Sequence, residues 1–358
     1  MSLQSEIETV RQRVGISSRN HLCLVSVRGT GALALLDVTS PVPLFLREGQ
    51  IRHTLLLDDG ARPVADLQIA HVEDGYILMA DGVSESELLQ HLETRRNLEV
   101  PDAQVVIEGI GERFRVLGLD GPYAWELASG VLGPAVLGMP YLTVLQCERG
   151  VMCLRGGKTG EYGYDIIVPA DKAATVESEL EAAGKAFDAG RISLPALDHC
   201  ALENWHFSPR NVRPSRLVPV LTPIELQLQW RVNFGRKYAG VAALSRRRAE
   251  PSGYRVACVT LSKCVPDGTL VLSGTQVVGE IQTLVFSQPR DEFIGTALVY
   301  QKLASPGSPG LSVVSEGESV ALTVRTPPLL NNRSLFITPH RNPYANRIHE
   351  SFPPLVAR

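Results

Sequence analysis

Between Tyr254 and Arg325 the chain breaks into short Val-, Leu-, Thr- and Ile-rich runs: YRVACVTL, GTLVLSG, QVVGEIQTLVF, FIGTALVY and ESVALTVR. Gly, Pro and Asp turns part them. Runs of this kind pair as an antiparallel sandwich or barrel. The texture changes at Glu250-Pro251-Ser252-Gly253. Three parts are therefore expected: residues 1–250 with two α/β lobes, a β domain over 251–330, and an irregular Pro-, Asn- and Arg-rich tail over 331–358.

Upstream of the break, strands and helices mix. HLCLVSVR, residues 21–28, alternates as a strand does. Ser84 with Glu87 three residues on reads as a capping box, and Leu88, Leu89 and Leu92 form the apolar stripe of the helix it starts. Further helices are expected over 4–13, 31–36, 171–183 and 197–205, and after Gly121-Pro122. Gly29 and Gly31 belong to neither a GxGxxG nor a Lys-Ser/Thr loop, so they read as a strand-to-helix turn.

Bulk properties exclude several classes. A net charge of −3 gives no electrostatic case for nucleic acid or an anionic membrane. No run approaches the ~20 apolar residues of a membrane span, and the polar start lacks the apolar core of a secretory signal. The cysteines form no CxxC and the histidines no HxxxH or HExxH pattern. Free thiols in a reducing cytoplasm and no metal site are expected.

The stretch from Leu55 to Ala80, LLLDDGARPVADLQIAHVEDGYILMA, reads as consecutive strands turned at Asp58-Asp59-Gly60 and Asp74-Gly75. Asp66 stands inside the middle strand. An Asp in a strand most often lies on the solvated face; buried and unpaired, it would be costly.

Four segments in order resemble the glycine-cleavage T-protein (aminomethyltransferase) family. The stretch around Asp66 is similar to "Y-x-L-x-L-N-x-x-G-G-x-x-D-D-L", with His53 at the Tyr and Ala65-Asp66 at the Asp pair. Leu117 to Ala124 resembles "L-x-G-P-x-A". Thr159-Gly160-Glu161-Tyr162-Gly163-Tyr164-Asp165 is close to "Y-T-G-E-x-G-[FY]-E", and Thr222 to Trp230 to "T-P-x-E-x-x-L-x-W". Tyr238 to Leu244 is weakly similar to "F-x-G-x-x-A-L".

The resemblance implies an α+β fold: a three-lobed folate-binding body with a C-terminal antiparallel β-barrel. It implies one-carbon transfer to tetrahydrofolate, with Asp66 as the catalytic carboxylate. Asp165 replaces the family's pterin-binding Glu. Asp81, Glu161, Tyr164 and His53 are expected beside it in cofactor binding, although a solvated turn is an equal reading for Asp81. Trp205 and Trp230 are expected to shape the substrate pocket, with a core role the alternative for Trp205.

Departures from the family pattern bear on specificity. The "R-D-S-L-R-L-E" helix reads Leu197-Asp198-His199-Cys200-Ala201-Leu202-Glu203, without either arginine. Before it, only Gly15-Ile16-Ser17-Ser18 stands where T-proteins have a longer segment ending in "G-I-F-D". The expected function is transfer of a methyl or aminomethyl group from a small amine or methylated compound, distinct from glycine cleavage and without a lipoyl carrier protein. The alternative is a non-catalytic folate-binding protein of the iron–sulfur maturation type. Against it, the "K-G-C-[FY]-x-G-Q-E" motif of those relatives is missing.

Overall fold

The computed structural model describes residues 2–356. Two antiparallel sheets face each other, and helices cover their outer faces. The first sheet orders its strands Ile51–Leu57, Pro63–Val72, Gly75–Asp81, Leu22–Arg28 and Val106–Gly109. The second runs Gly190–Arg191, Gly15–Ser18, Phe114–Asp120, Gly163–Pro169, Met152–Gly156 and Thr143–Gln146; only its first pair is parallel.

Strand periodicity sorts the side chains between these layers. Along Pro63–Val72, Ala65, Leu67 and Ile69 pack toward the helices Ala32–Thr39 and Glu85–Glu99. Ala70 joins Leu24, Ile77, Met79, Val116, Leu154 and Ile167 in the core between the sheets. Along Gly163–Pro169, Tyr164, Ile166 and Val168 pack on the outer side with Trp125 and Leu127 of the Ala124–Leu132 helix. The expected capping box forms: Glu87 N donates to Ser84 Oγ, and Ser84 N to the Glu87 carboxylate.

The C-terminal β domain is a closed six-stranded barrel, from Tyr254–Leu261 to Glu318–Arg325. It has its own core of Val259, Ile281, Ala297, Val313 and Leu322. Leu55 and Leu57 of the first sheet and Val256 and Leu298 of the barrel share one cluster with Leu226 and Leu228. The segment Thr222–Leu228 thus joins body to barrel. Its motif is a local box, in which Thr222 N and Oγ both donate to buried Glu225 at 2.9 and 2.6 Å.

The segment after the barrel carries two short 3-10 helices, Arg333–Leu335 and Tyr344–His349, and is built into the body. Ile337 and Tyr344 lie in the outer core of the second sheet. Among the described residues no helix is long and apolar enough to cross a membrane.

Candidate functional site

Where the two sheets part at one end, the apolar layer gives way to a charged cleft. Asp66 and Asp81 stand directly opposite each other on neighbouring strands. Both are nearly fully buried, Asp66 at 2 % exposure. Like charges facing across a sheet destabilise it, and an unpaired buried carboxylate costs more. Lys158 resolves the conflict. Its Nζ lies 3.1 Å from Asp66 Oδ2 and 2.8 Å from Asp81 Oδ2. Burial opposes the ammonium, but the two carboxylates outweigh it and raise its pKa.

Asp66 is held from every side. Arg231 donates to its Oδ1 at 2.7 Å and to Thr54 O at 2.6 Å. His53 Nε2 is also 2.7 Å from that oxygen. Burial alone would raise the Asp66 carboxyl; His53, Lys158 and the His53 hydrogen bond hold it well below the usual range. The solvated-face reading of Asp66 is therefore corrected: the strand turns this side chain toward the second sheet, where Lys158, Arg231 and His53 compensate its burial.

His206 also approaches Asp66. Its ring stacks on His53 at 5.4 Å, and its Nε2 lies 3.5 Å from Asp66 Oδ2. That is within electrostatic reach, yet Nε2 has no hydrogen-bond partner among the described residues. Burial, against the pull of Asp66, lowers His206 to about 4, so the ring is neutral at pH 7. A Schellman turn after the Leu194–Glu203 helix places it: Trp205 N donates to Leu202 O at 2.9 Å and His206 N to Ala201 O at 2.8 Å. Trp205 takes the left-handed position at φ 58°, where Gly is usual and a side chain costs about 1–2 kcal/mol.

Across the cleft, Arg19 pairs with Asp120 and lies 3.2 Å from Asp165 Oδ1. Burial pushes the Asp120 carboxyl up despite Arg19, and Asp165 adds to the push. Arg210 pairs with Asp81 and, at 3.1 Å, with Asp198. Leu197 and Ala201, at the positions of the missing family arginines, line the same cleft.

The structure thus gathers Asp66, Asp81, Asp165 and His53 into one neighbourhood and separates the other expected site residues from it. Tyr164 precedes Asp165 on a strand, so its side chain falls on the opposite face, 2 % exposed in the outer core. Glu161 anchors the tail. It accepts from Arg333 N, Ser334 N and Ser334 Oγ at 3.0, 2.8 and 2.7 Å, with Arg11 3.6 Å away. Trp230 is 75 % exposed and lies against the Arg231 guanidinium rather than in a pocket. Trp205 is half-buried and lines a different cavity.

Sequence reading missed Lys158, Arg231, His206, Arg19 and Arg210. Two carried a signal. Lys158 occupies the Tyr position of "Y-T-G-E", and Arg231 directly follows the Trp that closes the fourth motif. His53, Asp66 and His206 present ligand atoms within 4.8 Å of one another, drawn from three distant segments and so invisible to a spacing pattern. Both Asp66 oxygens already meet cations, which opposes a metal ion there.

The cleft suits a pterin. Gln68 Oε1 lines it, buried and without a partner among the described residues, and the acceptor Asp165 stands across from it. Leu22, Met79 and Leu197 offer apolar walls. A row of ring N–H donors needs such acceptors.

A mixed α+β body, a closed barrel and a carboxylate-rich interlobe cleft define the class of folate-dependent transferases. Residues 1–236 match the family described as the GCVT N-terminal domain, and the chain belongs to this glycine-cleavage T-protein family. It is 26% identical over 340 residues to the aminomethyltransferase of Frankia alni, covering 91% of this chain and 88% of that one. It is 23% identical to the aminomethyltransferase of Flavobacterium psychrophilum, covering 91% and 90%. In fold it is similar to the glycine cleavage system aminomethyltransferase T of Bartonella henselae, with a TM-score of 0.81 and 20% identity over 93% of this chain and 90% of that one. The family uses tetrahydrofolate.

Proposed function

We propose that this chain transfers a methyl or aminomethyl unit between a small compound and tetrahydrofolate, and that its donor is not the glycine-cleavage intermediate. The observation that carries the reading is Asp66, a buried carboxylate kept ionised beside an acceptor-lined cleft. Asp165 and Gln68 would hold the pterin. Tetrahydrofolate, when bound, supplies the amines that exchange the carbon unit.

With its pKa held low, Asp66 is a weak proton acceptor but a fixed negative charge. Where an incoming amine takes the place of Lys158 at Oδ2, Asp66 would orient it and stabilise positive charge developing there, in a site shielded from water. Leu197 and Ala201 in place of arginines support a donor other than the family's usual one.

Single-turnover transfer tests the role of Asp66. Asp66→Asn should lower the rate by about 10²–10⁴-fold with little change in folate affinity; a wild-type rate in the folded variant would remove Asp66 from catalysis. Substituted for the T-protein in a reconstituted glycine-cleavage system, the chain should not support turnover. Substantial activity there would restore the ordinary family reaction. The non-catalytic alternative draws support from Lys158, which occupies Asp66 from inside the chain; folate binding without transfer from any one-carbon donor would favour it.

A further inference from the structure

Ser208 lines the charged cleft and also a second cavity, which His206 lines as well. The two cavities are chemical opposites. The first is lined by three cations (Arg19, Lys158, Arg210) and five carboxylates (Asp66, Asp81, Asp120, Asp165, Asp198). Around the second there is no Asp, Glu, Lys or Arg. Its walls include Trp205, Phe207, Leu226, Leu228 and Val256, gathered from the strained helix-end turn, the linking segment and the barrel.

Three hydrogen-bonding groups of the lining residues are left over: His206 Nε2, which lies toward Asp66, and two others. Ser208 Oγ and Gln282 Nε2 are buried with no partner among the described residues, in side chains of 3 % and 2 % exposure. Gln282 is otherwise fixed, since its Oε1 accepts from Arg213 N at 3.2 Å. Buried polar groups in native proteins are nearly always satisfied. A hydroxyl and an amide N–H in an apolar cavity therefore fit a ligand bearing an acceptor atom. A charged ligand would lose its water there and meet no counter-ion.

We propose that this second cavity binds the one-carbon donor, and that the donor is an uncharged, mainly apolar molecule with a hydrogen-bond acceptor. The position follows from His206, which borders the cavity and sets its Nε2 3.5 Å from Asp66. This rests on the transferase reading above, but the binding it requires does not need folate.

The test uses a matched pair of probes, neutral N-methylbenzamide and cationic N-methylbenzylammonium, titrated into the full chain by ligand-observed NMR without folate. The neutral probe should bind at least about tenfold more tightly, a share set by one buried hydrogen bond and an uncompensated charge. Gln282→Leu should weaken it about tenfold. Leu228→Trp, which fills the cavity, should abolish its binding while tetrahydrofolate titration stays unchanged. Should Leu228→Trp fail to fold, Gln282→Leu carries the test. Equal or tighter binding of the cation, no binding of either probe, or full binding in folded Leu228→Trp would overturn the assignment. Failure of tetrahydrofolate to bind, with the probe results as expected, would instead count against the transferase reading alone.

Discussion

Arg231 and Asp66, 165 positions apart, meet at 2.7 Å inside the body, and the same guanidinium nitrogen donates to Thr54 O. The pair fastens the segment that reaches the barrel to the strand that carries the central carboxylate. Lys158 and His53 share that carboxylate, so the network is a single electrostatic unit.

Arg231→Leu should therefore cost about 3–5 kcal/mol, the range for breaking a buried ion pair by removing one partner. Urea unfolding measures it. A loss under about 1 kcal/mol would make the pair incidental to the fold.

Stability should fall on acidification below about pH 6.5. Burial lowers His206 to about 4, and also His21 and His91 to about 4. The unfolded chain, with histidines near 6.5, binds more protons between these values, so protonation favours unfolding in that window and stability is full above it. His206 alone would account for on the order of 2 kcal/mol at pH 5. The depressed Asp66 contributes in full above its unfolded value of about 3.9 and loses that contribution as pH falls from there toward its lower folded value, below the histidine window. Unfolding midpoints that match at pH 7.5 and pH 5 would contradict the buried neutral histidines.

Glu161→Ala should loosen the tail and leave the cleft intact. Its carboxylate accepts three hydrogen bonds from Arg333 and Ser334. Losing them should cost about 2–4 kcal/mol and speed proteolysis between residues 331 and 344. Unchanged proteolysis, together with weakened folate binding, would return Glu161 to the ligand site.

The sequence made local features readable and left the assembled network hidden. Ser84 and Glu87 announced their helix because a capping box is written within four residues. The barrel strands were legible because each run carries its own turn signals. Asp66 drew notice because a strand interior disfavours Asp unless something pairs it, and it is buried and paired. Its partners could not be read: Lys158, His206 and Arg231 come from three segments that only the packed fold brings together. Glu161 and Tyr164 lie away from the cleft for a different reason. A motif places residues in order, whereas strand alternation and the returning tail decide which of them face the cleft. Trp230 stands one residue from Arg231, whose side chain points inward to Asp66 while the indole stays in solvent.

The most direct measurement is a calorimetric titration of tetrahydrofolate into the wild-type chain and into Asp165→Ala. Asp165 is chosen because Asp120 can still pair with Arg19 in its absence. Saturable binding in the wild type, weakened in Asp165→Ala by about 1.5–3 kcal/mol, is the expected result. No heat and no thermal shift with any reduced folate would contradict the account of the cleft as a folate site.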